Sequence, residues 1–384
     1  MKFNVSSTSL CNKLQAISRV QNSKNSLPIL ECVLFDLSDN VLSMTASDSE
    51  TIITTTIEVN DSEGSGRFAI SSKTLISSIK VISEQPITFV INGDTQQVEV
   101  YYQNGKYNLM GSNADEYPLP TDNDNAGESL TIAAETLLRG ISRSLFATAD
   151  DELRPQMNGV FFDITPEYTT LVASDGHKLV RNRMLDVHGN NAASFILPKK
   201  PALLIKTILP KEESEVQINF TDRNAKVQFA NYTISCRLIE GRFPNYNSVI
   251  PTDNPFRVRV DRLSFISTLR RVSVFANAAS ALIKLHIENN KLTVSAQDIE
   301  YSTSAEESVM CEYDGNPMSI GFNGPYLLEV LNNIASQEIV LELADPSRAG
   351  VLLPAEQEID EDLIMLLMPM MLQDYPSTCF KERK

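Results

Sequence analysis

The chain reads as an α+β protein of three repeated domains, each two helices packed on antiparallel β-sheet, and three observations predict it. An aspartate follows an alternating apolar run in "ASDSE" (46–50), "ASDGH" (173–177) and "AQDIE" (296–300), placing Asp48, Asp175 and Asp298 at spacings of 127 and 123 residues. Three segments, 3–20, 130–146 and 256–275, each give a short strand, a polar Ser, Ala or Asp start, and then apolar residues at helical spacing. Between them lie short stretches such as "ITFVI", "EVQINF" and "EIVLEL", whose alternation suits antiparallel strands with one buried face.

The elements correspond position by position. Val5, Ile132 and Val260 occupy the opening strands; Leu10, Leu137 and Phe265, then Leu14, Ile141 and Leu269, fall on the buried stripe of the first helices. A second helical run is expected in each copy at 69–82, 196–209 and 320–334, aligned through Ile70, Leu197 and Phe322. The polar joints "TDNDNAGES" (121–129) and "PTDNP" (251–255) divide the chain, giving expected domains at 1–125, 126–253 and 254–372 and an extension at 373–384.

Composition bounds the function. A chain of 384 residues with 42% hydrophobic and 21% charged residues can bury several cores, and no run of 18 apolar residues suggests a membrane span, so a cytoplasmic location is expected. The odd set Cys11, Cys32, Cys236, Cys311 and Cys379 lacks CxxC spacing, which points to reduced, mostly buried thiols. The net charge of −16 argues against nucleic acid, but its distribution does not. Residues 1–30 hold Lys2, Lys13, Arg19 and Lys24 with no acid, and 187–211 hold Lys199, Lys200, Lys206 and Lys211 with none, while acids crowd "QEIDED" at 357–362. Such segregation can give one surface a positive field inside an acidic protein.

Asp175 and His177 resemble an acid/base pair, yet the recurrence of the aspartate favours a turn former that bonds nearby backbone in all three copies. The second copy still differs, with Gly176 and His177 where the first has Ser49 and Glu50. "DNDNAGESLTIA" (122–133) starts like a calcium loop but has Ala133 where the bidentate glutamate belongs, and "GSGRFA" (64–69) lacks the third glycine of a dinucleotide fingerprint. No catalytic or metal motif and no cofactor site emerges. "LIMLLMPMML" (363–372) combines a last core strand with a methionine-rich surface suited to varied partners, Pro369 marking the strand end.

With "MKF", "LPIL" (27–30), "ASDGHKL", "GRFPNYNSVIP" (241–251), "IGFN" with "LLEVLN" (320–332) and "LMPMML" in this order, the chain resembles the bacterial DNA polymerase III beta-subunit, or sliding-clamp, family over residues 1–372. The resemblance implies a non-enzymatic processivity factor. Two chains would join head to tail into a closed ring around double-stranded DNA, held without sequence preference. Replicative polymerase, clamp loader and repair proteins would dock through short linear peptides.

It further implies a peptide cleft at Met157, Ser174, Gly176, His177, Lys178, Leu179, Pro244 and Val249, with Leu366, Leu367, Met368, Pro369, Met370, Met371 and Leu372, bordered by Asn323 and Tyr326. The DNA-facing cations would be Lys13, Arg19, Lys24, Lys73, Lys80, Arg139, Arg143, Arg154, Lys199, Lys200, Lys206 and Arg270. At the ring joint Tyr107 and Leu109 would meet Val274 and Phe275, with Lys106 facing Glu300, Glu306 and Glu307. The alternatives kept beside this reading are a monomeric peptide-binding scaffold and, behind it, a hydrolase built on Asp175 and His177.

Overall fold

The computed structural model describes residues 1–22, 27–119, 127–211 and 215–372. Lys24, most of the joint 121–129 with its calcium-like start, and the extension 373–384 with Cys379 lie outside the described residues.

Among the described residues six α-helices follow the three-copy plan: α1 (Ser7–Ile17), α2 (Ser72–Ile79), α3 (Ala134–Ser144), α4 (Lys199–Ile208), α5 (Arg262–Ser273) and α6 (Gly324–Asn332). The starts of α1, α5 and α6 are fixed by side chains that accept otherwise orphaned N–H groups. Ser6 caps α1 by accepting from Ser9, Asp261 caps α5 from Ser264 at 2.8 Å, and Asn323 caps α6 from Tyr326 at 3.1 Å. Leu10, Leu14 and Ile17 bury one stripe of α1, and Phe265, Leu269 and Val272 the matching stripe of α5. The second helices begin later than the apolar spacing suggests. Ile70, Leu197 and Phe322 sit in the strands Gly66–Ser71, Ala193–Pro198 and Met318–Asn323, so the shared position marks a strand that leads into the helix rather than the helix itself.

The chain forms two compact units, Met1–Arg139 with Gly189–Glu240, and Gly140–His188 with the described residues from Gly241 onward. In the first unit, a five-stranded antiparallel sheet runs in the order Asn60–Glu63, Lys2–Ser6, Pro86–Ile91, Gln97–Tyr102, Gly105–Met110. An eight-stranded sheet runs Glu128–Ala133, Glu215–Phe220, Asn224–Phe229, Tyr232–Arg237, Thr51–Glu58, Val41–Ser47, Cys32–Ser38, Gly66–Ser71. In the second unit the order is Gly159–Ile164, Thr169–Ser174, Lys178–Met184, Glu361–Leu367, Gly350–Pro354, Glu338–Leu343, Phe256–Asp261, Thr303–Glu312, Lys291–Asp298, Leu282–Glu288, Met318–Asn323.

One pairing rule organises both units. The strand after the aspartate corner of one copy pairs with the last strand of the next copy. Thr51–Glu58 pairs antiparallel with Tyr232–Arg237, with Ile53 opposite Ile234, and Lys178–Met184 pairs with Glu361–Leu367, with Leu179 opposite Leu366. The sheets are therefore continuous across the joints between thirds. The four described cysteines are buried free thiols, and burial pushes Cys236 up to about 12.

Candidate functional site

The three aspartate corners have one local geometry. Asp48 Oδ1 accepts the N–H groups of Glu50 (3.0 Å) and Thr51 (2.7 Å), Asp175 Oδ1 those of His177 (2.8 Å) and Lys178 (2.9 Å), and Asp298 Oδ1 those of Glu300 (2.9 Å) and Tyr301 (3.2 Å). In each the carboxylate closes a tight turn at a strand end. It is the backbone of His177, not its ring, that meets Asp175, and the second carboxylate oxygen accepts from Lys178 Nζ at 2.8 Å. That leaves the pair no acid/base geometry.

Around this turn the second unit builds a continuous cluster. Lys178, only 5% exposed, also reaches Glu329 Oε2 at 3.0 Å and lies 4.3 Å over the Tyr326 ring, on which the His177 imidazole stacks at 5.7 Å between centroids. Burial alone would raise the Asp175 carboxyl, but the hydrogen bonds from Lys178 and from the two backbone N–H groups outweigh it and hold the carboxyl below its ordinary value. Burial likewise opposes the charge on Lys178, and the bonds to Asp175 and Glu329 outweigh it and raise the ammonium. Gly176 takes φ +90°, and a Cβ there would lie 3.1 Å from Arg154 Nη1.

The terminal apolar run reaches the same turn. After Leu367 the chain leaves the sheet: Met368 N–H donates to His177 O at 2.8 Å and Met370 N–H to Gly321 O at 2.8 Å. Gly321 is required, since a Cβ would stand 2.7 Å from the Met370 carbonyl. Asn323, through its cap, fixes the turn of α6 that carries Tyr326. The segment bearing Pro244 and Val249 is pinned by Phe243 stacked on Phe161 at 4.8 Å and by Tyr246, whose hydroxyl donates to Asp163 at 2.7 Å. Burial and that bond push the Tyr246 hydroxyl up to about 12, so it remains a donor.

Val249, Met368 and Met371 are left 53%, 44% and 78% exposed, whereas Leu179, Leu366, Ser174 and Met157 are buried. Leu367 is a correction: it is fully enclosed in the core of the unit and cannot meet a ligand. Sequence reasoning missed Glu329 and the nearness of Arg154 to Gly176; neither is signalled by local spacing.

The basic residues divide by environment. In the first unit Arg19, Lys73 and Lys80 are exposed; Arg139, Lys199 and Lys206 are half-buried. Lys13 donates to Asn231 at 2.6 Å and lies over the Tyr232 ring, and Lys200 bonds Asn22 and forms an ion pair with Asp48. In the second unit Arg270 is exposed and Arg154 pairs with Asp151 at 2.8 Å. Arg143 departs from the expected outward role: its mostly buried guanidinium is ion-paired to the buried Glu361, which uses its charge inside the fold. The helix without a cation, α6, carries the Glu329 that holds Lys178.

Two of the strand edges left open among the described residues are those expected at the joint. Gly105–Met110 ends its sheet and presents half-buried Tyr107 and Leu109. Thr303–Glu312 pairs along Lys291–Asp298 but meets Phe256–Asp261 only at Cys311 and Glu312, leaving 303–310 unpaired on that side. Val274 and Phe275 are exposed. The expected pairing of Lys106 with Glu307 is not preformed. Lys106 bonds Glu99 at 3.0 Å, and Glu307 is held by Arg271 and Thr268, which bring its carboxyl down to about 2; Glu300 and Glu306 are exposed. No helix among the described residues is long and apolar enough to cross a membrane.

Family models for the DNA polymerase III beta subunit match in chain order: the N-terminal domain at 1–121, the central domain at 131–245 and the C-terminal domain at 247–371. The beta sliding clamp of Haemophilus influenzae is 27% identical over 374 residues, covering 97% of this chain and 100% of its own, and that of Pseudomonas aeruginosa is 26% identical with the same coverage. Among solved structures, a Pseudomonas aeruginosa sliding clamp bound to griselimycin superposes with a TM-score of 0.91 at 26% identity over 97% of this chain and 100% of that one. The beta subunit from Thermotoga maritima, 24% identical with a TM-score of 0.89 over the same shares, has the same fold. Matched in order by all three domain models and along nearly its whole length by these relatives, the chain belongs to the DNA polymerase III beta-subunit family.

Proposed function

We propose that the protein is a DNA sliding clamp of the replication machinery: a homodimeric ring that encircles duplex DNA and tethers the polymerase through the cleft beside Tyr326. The observation that carries the ring is the pairing rule. Applied once more, it requires Thr303–Glu312 of the third copy to pair with the last strand of a first copy, Gly105–Met110, and both of these strands have an open edge among the described residues. Since one chain offers one edge of each kind, the contact is head to tail, and the ring closes if two copies complete the rotation. The expected domains at 1–125, 126–253 and 254–372 would each supply two helices to its lining.

Exposed Arg19, Lys73, Lys80 and Arg270 lie on or beside those helices. Phosphate attraction of this kind is independent of sequence and sensitive to salt, which suits a ring that slides. The remaining acidic surface discourages binding of nucleic acid outside the hole. No step in this function needs an enzyme, and the Asp175 carboxylate, committed to its turn and to Lys178, supports the same reading. A cytoplasmic site of action follows from it.

Negative-stain imaging with light scattering tests the ring: closed two-chain particles are expected, and Phe275→Arg should give single chains at nanomolar concentration. Single curved chains of the unmodified protein at every concentration would remove the ring and leave a peptide-binding scaffold. Griselimycin is the probe for the cleft. Met370→Ala with Leu372→Ala removes apolar floor at the Gly321 contact and should weaken its binding about tenfold or more, without changing particle mass. Unchanged affinity would remove the cleft assignment.

A further inference from the structure

We propose that the cleft is a docking surface for this chain's own C-terminal segment, residues 373–384, which competes there with partner peptides; the proposal rests on the cleft being the partner site. Four observations carry it. The described chain ends inside the cleft: Leu372 packs on Gly321, with its Cδ2 2.9 Å from where a Cβ of that glycine would be, and Gly321 lies two residues before the Asn323 cap of the helix that carries Tyr326. Beside it Met368 and Met371 leave apolar surface uncovered. The sequence that follows, "QDYPSTCFKERK", places Tyr375, Pro376 and Phe380 ahead of the basic end Lys381, Arg383 and Lys384. This suits an apolar floor bordered by the half-exposed carboxylate of Glu329. Finally, the C-terminal family model ends at 371, so this segment lies past the part that the family defines.

Reach is sufficient. Phe380 stands eight residues past Leu372 and can lie up to about 28 Å from it. Met368, four residues back from Leu372, is at most about 14 Å away, and it bonds His177, whose ring stacks on Tyr326. A short tether gives an effective concentration of about 1 mM. A segment with an intrinsic Kd of about 0.1–1 mM would then raise the apparent Kd of a competitor about two- to tenfold. The tail thus sets a threshold that strong partner peptides pass and weak ones do not.

The test uses the full chain. Benzoylphenylalanine in place of Phe380 should, on irradiation, crosslink within one chain to residues 244–249, Tyr326 or 368–371. Products that map elsewhere, products that join two chains, or no product would overturn the proposal. In parallel, Tyr375→Ala with Phe380→Ala should tighten griselimycin binding about two- to tenfold. If griselimycin responds to Met370→Ala with Leu372→Ala but not to the tail variant, the tail proposal alone fails. If it binds and ignores the floor variant, the cleft reading fails first.

Discussion

The corner at Asp48 and the corner at Asp175 share a backbone and differ in use. In both, a serine hydroxyl accepts the N–H two residues on, Ser47 from Ser49 and Ser174 from Gly176, each at 3.1 Å, and the middle residue takes positive φ, +84° at Ser49 and +90° at Gly176. The second aspartate oxygen makes the difference. Asp48 anchors Lys200 of α4, a structural tie within the first unit. Asp175 holds Lys178 of its own turn, and Lys178 in turn holds Glu329 and underlies Tyr326. A repeated turn can thus serve as a strand end in one copy and as the foundation of the Lys178, Tyr326 and Glu329 cluster in another, through the change from Thr51 to Lys178.

Removing each aspartate tests that contrast most strongly. Asp175→Ala takes two backbone bonds from the turn and leaves a buried ammonium with a single, half-exposed partner, so a loss of about 3 kcal/mol is expected. Asp48→Ala loses the same turn bonds, but Lys200 is a third exposed and regains water, so about 1–2 kcal/mol is expected. Denaturant midpoints of the two variants give the comparison. Equal losses would mean that the Lys178 cluster adds nothing to the turn.

A smaller effect is expected at the middle residue. Gly176→Ala introduces the left-handed penalty of about 1–2 kcal/mol and a contact that Arg154, a flexible end, can relieve by shifting. Ser49→Gly relieves a similar strain but frees the unfolded chain, so its net change should stay within about 0.5 kcal/mol of zero. If Gly176→Ala proves neutral in stability and in griselimycin affinity, the glycine at the second corner has no role beyond the one Ser49 fills.

Much of the fold was legible because repetition multiplies weak signals: one strand-end aspartate is ambiguous, and three at matching places are a turn. The same logic located the first helices. It misplaced Ile70, Leu197 and Phe322, because an apolar residue just before a helix has the same spacing whether it ends a strand or starts the helix. Around the second corner the charge partners were not legible. Lys178 with Glu329 and Arg143 with Glu361 are partners far apart in the chain, and only strand pairing brings them together. The terminal run mixed both outcomes, Leu367 in the core and Met371 at the surface, since alternation ends where Pro369 takes the chain out of the sheet.

Acidity and alkalinity should leave the second corner unchanged over a wide window. The Asp175 carboxyl is depressed in the fold, so its contribution is present above its ordinary value of 3.8 and is lost as pH falls through the lower folded value. Lys178 is raised, so its contribution is complete below its ordinary value of 10.5 and is lost as pH rises through the higher folded value. The stability difference between the protein and Lys178→Met should therefore be constant from about pH 5 to 9 and should narrow only toward the extremes, as Asp175 gains a proton or Lys178 loses one. Melting of both proteins across that range measures it. A step inside the window would assign control of the corner to a group other than this pair, and the contrast with Asp48 would then rest on that group.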